Sequence, residues 1–166
     1  MRKCFFGLVA LALSSLAQAQ SQKVGSWSYG ELENGLGMYA GTSNASGGLF
    51  VQQCYFEDDA CYWIMSSDIT CEEKASYPAL INSADGASHT ELFCFKIGKQ
   101  FRTAFTDFKL MTRKVNGEGI LGVAVPMASG EFRVNRFDMT GGGAAVAAMN
   151  KRFSERAKNS TRSKTL

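Results

Sequence analysis

The sequence predicts a mainly β protein, an antiparallel β-sandwich or partly open barrel with one C-terminal α-helix. Three observations carry that prediction. Polar and apolar residues alternate with period two along much of the chain, which puts successive side chains on opposite faces of a sheet. Turn signals such as Asp85-Gly86 and Asn116-Gly117 recur between these stretches. Helical spacing is confined to the end, where Val146, Met149 and Phe153 fall at i, i+3 and i+7. The 166 residues are 45% hydrophobic and 20% charged, with 2 prolines, which suits one domain and excludes a low-complexity chain.

The chain opens on a secretory signal over residues 1–19. Arg2 and Lys3 form a basic start, Cys4 to Leu13 is apolar, and Ala17-Gln18-Ala19 gives a signal peptidase its small residues. Cleavage is expected between Ala19 and Gln20, leaving a single domain over 20–156. The apolar run is too short to span a bilayer, and no later run approaches ~20 apolar residues.

The elements then follow in order. Ser26-Trp27-Ser28-Tyr29 alternates as a strand, and Gly41 to Gly48 has the composition of a surface loop. Leu49 to Phe56 is a strand with Phe50, Cys54 and Phe56 on one face. Ala60 to Met65 follows with Cys61, Trp63 and Met65 on one face, and Glu57-Asp58-Asp59 forms the hairpin tip between. Tyr77 to Asn82 and Thr90 to Ile97 flank the loop Ser83 to Ser88 as a second hairpin. Phe101 to Met111 reads as a longer strand, and Ile120 to Val125 as a central strand ended by Pro126. Gly130 opens the last strand, in which Phe132 and Val134 share a face. The helix lies near 142–156, capped by the Thr140 hydroxyl, with Gly141-Gly142-Gly143 swinging the chain into it. Beyond it, 157–166 is expected to be a basic disordered tail.

With Cys4 removed, Cys54, Cys61, Cys71 and Cys94 remain, and an even count in an exported chain reads as two disulfides. Of the three connectivities, the hairpin around Glu57-Asp58-Asp59 favours Cys54–Cys61, leaving Cys71–Cys94. On the loop-entropy model these are worth about 2.5 and 3.5 kcal/mol. The cysteine spacings lack a C-x₂-C pair and there is one histidine, so no metal is expected. Without Arg2 and Lys3, 16 basic and 15 acidic residues leave +1. From Asn150 to Leu166 six basic residues face Glu155 alone, so the tail carries +5 and the body over 20–149 carries −4. That asymmetry is not a nucleic-acid footprint, although the tail could touch an anionic surface.

No catalytic residue is assigned. His89 reads as an exposed turn histidine, and Ser88 beside it in an extended strand would point to the opposite face, which is poor geometry for a triad. Four paired cysteines leave no thiolate nucleophile. Gly141-Gly142-Gly143 before a helix reads as a turn rather than a phosphate cradle, because no lysine adjoins it. Glu57-Asp58-Asp59 lacks the alternating ligands of a calcium loop. Trp27, Tyr29, Tyr62 and Trp63 could line a carbohydrate or peptide groove, but read first as core and cross-strand packing. No cofactor is expected.

The layout over residues 25–153 resembles small exported bacterial proteins of the invasion-associated locus B type. The resemblance lies in the Ala17-Gln18-Ala19 signal, the Trp27 strand, paired cysteines in strands, Val125-Pro126 closing an apolar strand, and Phe137-Asp138-Met139-Thr140-Gly141 entering an alanine-rich helix. Where that family often has a cysteine soon after its first tryptophan, this chain has Ser28-Tyr29-Gly30. The resemblance implies a β-sandwich of the periplasm or outer surface, linked to host-cell invasion, with no established catalytic residues. The functional expectation is a periplasmic or secreted, disulfide-stabilised, non-enzymatic binding module. Its partner would be a protein or an envelope or surface component, not a nucleic acid. The alternative is a small exported hydrolase, which would need a convergent polar cluster in a pocket.

Overall fold

The computed structural model describes residues 21–66, 71–97, 100–127 and 129–163. The expected signal segment, the cleavage point at Ala19 and Gln20, and the last residues of the basic tail lie outside them. Ten strands are formed: β1 (Gln22–Val24), β2 (Trp27–Glu31), β3 (Gly37–Ser43), β4 (Leu49–Tyr55), β5 (Ala60–Ser66), β6 (Ser76–Ser83), β7 (Gly86–Ile97), β8 (Gln100–Phe105), β9 (Ile120–Pro126) and β10 (Phe132–Asp138). They make one antiparallel sheet in the order β1-β2-β3-β4-β5-β8-β7-β6-β9-β10, curled into a half-barrel. Of the two expected architectures, the partly open barrel is the one found.

The hollow of the half-barrel holds the core. Trp27, Phe50, Trp63, Phe105 and Phe137 meet there, with Phe50 stacked on Trp63 at 5.2 Å and Trp27 edge-on to both. Two helices fill the hollow. The helix α1 (Phe108–Val115) buries Leu110, Met111 and Val115, and α2 (Gly142–Ser163) lies along β1, β2 and β3. The expected stripe of Val146, Met149 and Phe153 is buried, and Phe153 stacks on Phe56 at 5.0 Å.

Several expectations need correction. Phe101 to Met111 is not one strand: β8 ends at Phe105 and α1 begins at Phe108. The Asp107 carboxylate caps that helix by accepting the Leu110 N–H at 2.8 Å, and the burial of Leu110, Met111 and Val115 favours helix over strand. Gly41, Thr42 and Ser43 belong to β3 rather than to a loop. A side chain at Gly41 would run into Val51, so glycine here serves close strand packing. The Ser83–Ser88 loop shrinks to a turn at Ala84-Asp85, because Ser83 already pairs with Gly86. Helix α2 does not end at Arg156 but continues to Ser163, through a stretch that includes the good helix formers Ala157 and Lys158. Thr140 does not cap it. Its hydroxyl donates to the Asp138 carboxylate at 2.7 Å, while the Gly141 carbonyl accepts the Ala145 N–H at 2.9 Å.

The two edges of the sheet meet at one end. The Ser26 N–H donates to the Thr140 carbonyl at 3.0 Å, and Trp27 Nε1–H to the Asp138 carbonyl at 3.0 Å. The Ser26 hydroxyl also donates to the Asp138 carboxylate. Gly25 and Gly141 both have positive φ, and a Cβ on either would sit within 2.4 Å of the carbonyl oxygen facing it. That seam leaves no room for a side chain.

Candidate functional site

The inner face is filled by the core, so the open grooves lie on the outer face, and period two determines which side chains stand there. On β4 the residues Phe50, Gln52 and Cys54 face inward, which turns Leu49, Val51, Gln53 and Tyr55 outward. On β5 the outward side chains opposite them are Tyr62 and Ile64. The β5–β8 pairing places Ala104 across from Ile64, and the β7–β8 pairing places Phe93 across from Ala104. Phe95 follows Phe93 two positions on, on the same face.

These side chains enclose an apolar well of about 220 Å³ lined by Tyr55, Tyr62, Ile64, Phe93, Phe95 and Ala104. Tyr62 is 44% exposed and Phe93 39%, large values for aromatic groups on one contiguous patch. The Tyr55 and Tyr62 rings lie 6.2 Å apart. Tyr55 donates its hydroxyl to Gln53 Oε1 at 2.9 Å. Burial, then the Asp58 carboxylate and then Tyr62 push the Tyr55 phenol above its ordinary value, so it stays neutral and able to donate.

Tyr55 and Ile64 are shared with a longer trough of about 510 Å³ that follows the outer face of β4. Glu33 and Asn34 line it in the loop after β2, and Gln100 and Arg102 of β8 line it elsewhere. The Arg102 guanidinium donates to the Ser66 hydroxyl and to Gln100 Oε1, both neutral groups. Among the described residues no carboxylate pairs with it.

The other candidates resolve as follows. Cys54 bonds Cys61 across the β4–β5 hairpin, where their Cα atoms are 4.0 Å apart, and Cys71 bonds Cys94 at 6.1 Å. Glu57, Asp58 and Asp59 are exposed at the tip of that hairpin. His89 is exposed, but mid-strand opposite Leu80 rather than at a turn, and Ser88 beside it faces the other way, opposite Ile81. Trp27, Tyr29 and Trp63 are core, and of the four aromatics weighed for a groove only Tyr62 reaches it. Gly142 lies so close to the Trp27 ring that a Cβ would come within 2.9 Å of it, which explains a glycine there by packing. Among the described residues no cluster of His, Cys, Asp or Glu could hold a metal ion, and no helix is long and apolar enough to cross a membrane.

Sequence reading passed over Tyr55, Phe93 and Phe95. The signal was present in Thr90 to Ile97, where Leu92 and Cys94 alternate with Phe93 and Phe95. A strand apolar on both faces has a second face to cover.

No family model matches the chain, and no curated protein matches it. Among solved structures its fold is similar to the crystal structure of invasion associated protein B from Bartonella henselae. The TM-score is 0.56 at 10% sequence identity, over 80% of this chain and 96% of that one. At that identity the likeness defines a shared β-rich architecture and carries no residue across.

Proposed function

We propose that the chain is an exported, disulfide-stabilised binding module that takes a protein or envelope component on the outer face of its sheet. The observation that carries this is the aromatic patch of exposed Tyr62 and Phe93 with half-buried Tyr55 and Phe95, over an already filled core. Covering a large apolar side chain is worth about 1.5–3 kcal/mol, so two or three such groups supply useful affinity. Export is supported by the Arg2 to Ala19 pattern and by two disulfides, which persist in oxidising compartments. The name of the similar structure, invasion associated protein B, supports a role at the contact with a host cell. A binding role suits His89, which stands apart from Ser88 on the opposite face.

Two measurements test this. N-terminal sequencing of exported protein should begin at Gln20. Labelled mature protein should be retained on isolated envelopes or host membranes, and Tyr62→Ala with Phe93→Ser should release it while His89→Ala does not. Retention unchanged by the groove variant would refute the outer-face reading. Loss of a hydrolytic activity in His89→Ala, with stability intact, would put the hydrolase reading in its place.

A further inference from the structure

We infer that the groove binds an extended peptide segment with one large apolar side chain in the well and a carboxylate against Arg102. This rests on the outer face being a docking surface, and names its occupant.

Size comes first. The well, at about 220 Å³, lies below the ~300–1,000 Å³ of small-molecule pockets and suits a single anchor side chain. Because it shares Tyr55 and Ile64 with the trough, whatever is anchored there continues along the outer face of β4. Of the six lining side chains Ile64, Phe93, Phe95 and Ala104 offer no donor or acceptor, the Tyr55 hydroxyl already donates to Gln53, and the Tyr62 hydroxyl is the remaining polar group. A sugar ring would leave most of its hydroxyls unpaired there, whereas an apolar side chain has none to satisfy.

Charge and spacing then select the rest of the segment. Among the described residues Arg102, which lines the trough, has only neutral partners, and Glu33 lines the same trough. The groove thus offers a cation to an acidic group and one carboxylate to a basic one. Ala104 in the well and Arg102 stand two positions apart on β8, about 7 Å. Side chains at i and i+2 of an extended peptide lie on one face at that same spacing of about 7 Å. An anchor followed two positions on by a glutamate or aspartate therefore reaches both features together.

The test is a fluorescence anisotropy titration of the mature protein with a labelled pentapeptide, Lys-Thr-Trp-Thr-Glu, chosen for its extended β-branched spacers. Saturable binding is expected, and is expected to vanish when the peptide tryptophan becomes alanine. Arg102→Glu should weaken it by about tenfold or more, and a peptide ending in lysine instead of glutamate should recover binding to that variant. Should Arg102→Glu fail to fold, Arg102→Gln should abolish the preference for the glutamate peptide over the lysine one. No saturable binding, binding indifferent to the tryptophan, or the absence of charge-swap recovery overturns the inference. Binding of maltohexaose in place of every peptide would assign the groove to a sugar and equally overturn it. If the peptides fail while Tyr62→Ala with Phe93→Ser still releases the protein from envelopes, the docking face stands and only its occupant is wrong.

Discussion

Gly25→Ala tests the seam that draws the sheet edges together. The glycine has φ +58°, and an alanine held there in the left-handed region costs about 1–2 kcal/mol. The added Cβ would stand 2.4 Å from the Thr140 carbonyl oxygen, whereas real contacts are essentially never under 3.0 Å. That oxygen is backbone, so the seam must open. Opening it strains the Ser26 N–H bond to Thr140 and the Trp27 indole bond to Asp138, each worth about 0.5–1.5 kcal/mol. The total is about 2–5 kcal/mol, which for a chain of this size lowers the melting temperature by about 10 °C. Gly47→Ala is the control, because Gly47 has φ +79° and open space where its Cβ would be. It should lose only the left-handed cost of about 1–2 kcal/mol. Urea unfolding of both variants, followed by far-UV circular dichroism, measures the difference. Equal losses at Gly25 and Gly47 would show that the close approach across the seam contributes nothing, and would refute the reasoning.

Three further outcomes are expected. Cys71→Ser or Cys94→Ser should lower stability by about 2–5 kcal/mol and Cys54→Ser by less, as its loop is shorter; thiol titration of the native exported protein should find no free thiol. Phe153→Ala, which removes the ring stacked on Phe56, should cost about 3–5 kcal/mol, whereas truncation after Arg156 should melt within a few degrees of the full mature chain. The Ser26 hydroxyl, then the Thr140 N–H and hydroxyl, hold the Asp138 carboxyl below its ordinary value, so its contribution is complete above the ordinary carboxylate range and fades as pH falls through the lowered one. Asp138→Asn should therefore lose stability less steeply on acidification, and equal slopes in acid unfolding would count against the carboxylate.

What could be read in the sequence was local. The β4–β5 and β6–β7 hairpins, the buried stripe of α2 and the faces of most strands follow from spacing within a few residues. Helix α1 was hidden because Phe101 to Met111 is apolar enough for either structure, and the discriminating signal was a single cap at Asp107. Strand β3 was hidden because glycine normally marks loops, whereas a Cβ at Gly37 would collide with the Cys54 carbonyl and one at Gly41 with Val51. The groove was illegible for a different reason. Alternation assigns each residue a face but not a neighbour, and the well exists because β8 lies against β5, some forty residues earlier in the chain.

That pairing also divides the sheet into two assembly units. Strands β1 to β5 follow one another as a meander, and β8, β7, β6, β9 and β10 form the second body. The ladder joining them pairs Ile64 with Ala104 and Met65 with Thr103, supported by the Thr103 hydroxyl donating to the Met65 carbonyl at 3.1 Å. As the chain emerges N-terminus first, β5 is complete while β8 has yet to appear, so β5 is a temporary open edge. The Cys54–Cys61 bond, spanning 7 positions, can close before that ladder forms, but Cys71–Cys94, spanning 23, straddles the β6–β7 hairpin that must fold back first. The join between the two units is also the floor of the groove, because Ile64 and Ala104 both line the well, so the groove exists only once β5 and β8 have paired. A chain in which β8 has not yet docked would therefore present a bare β5 edge where the folded protein presents the groove.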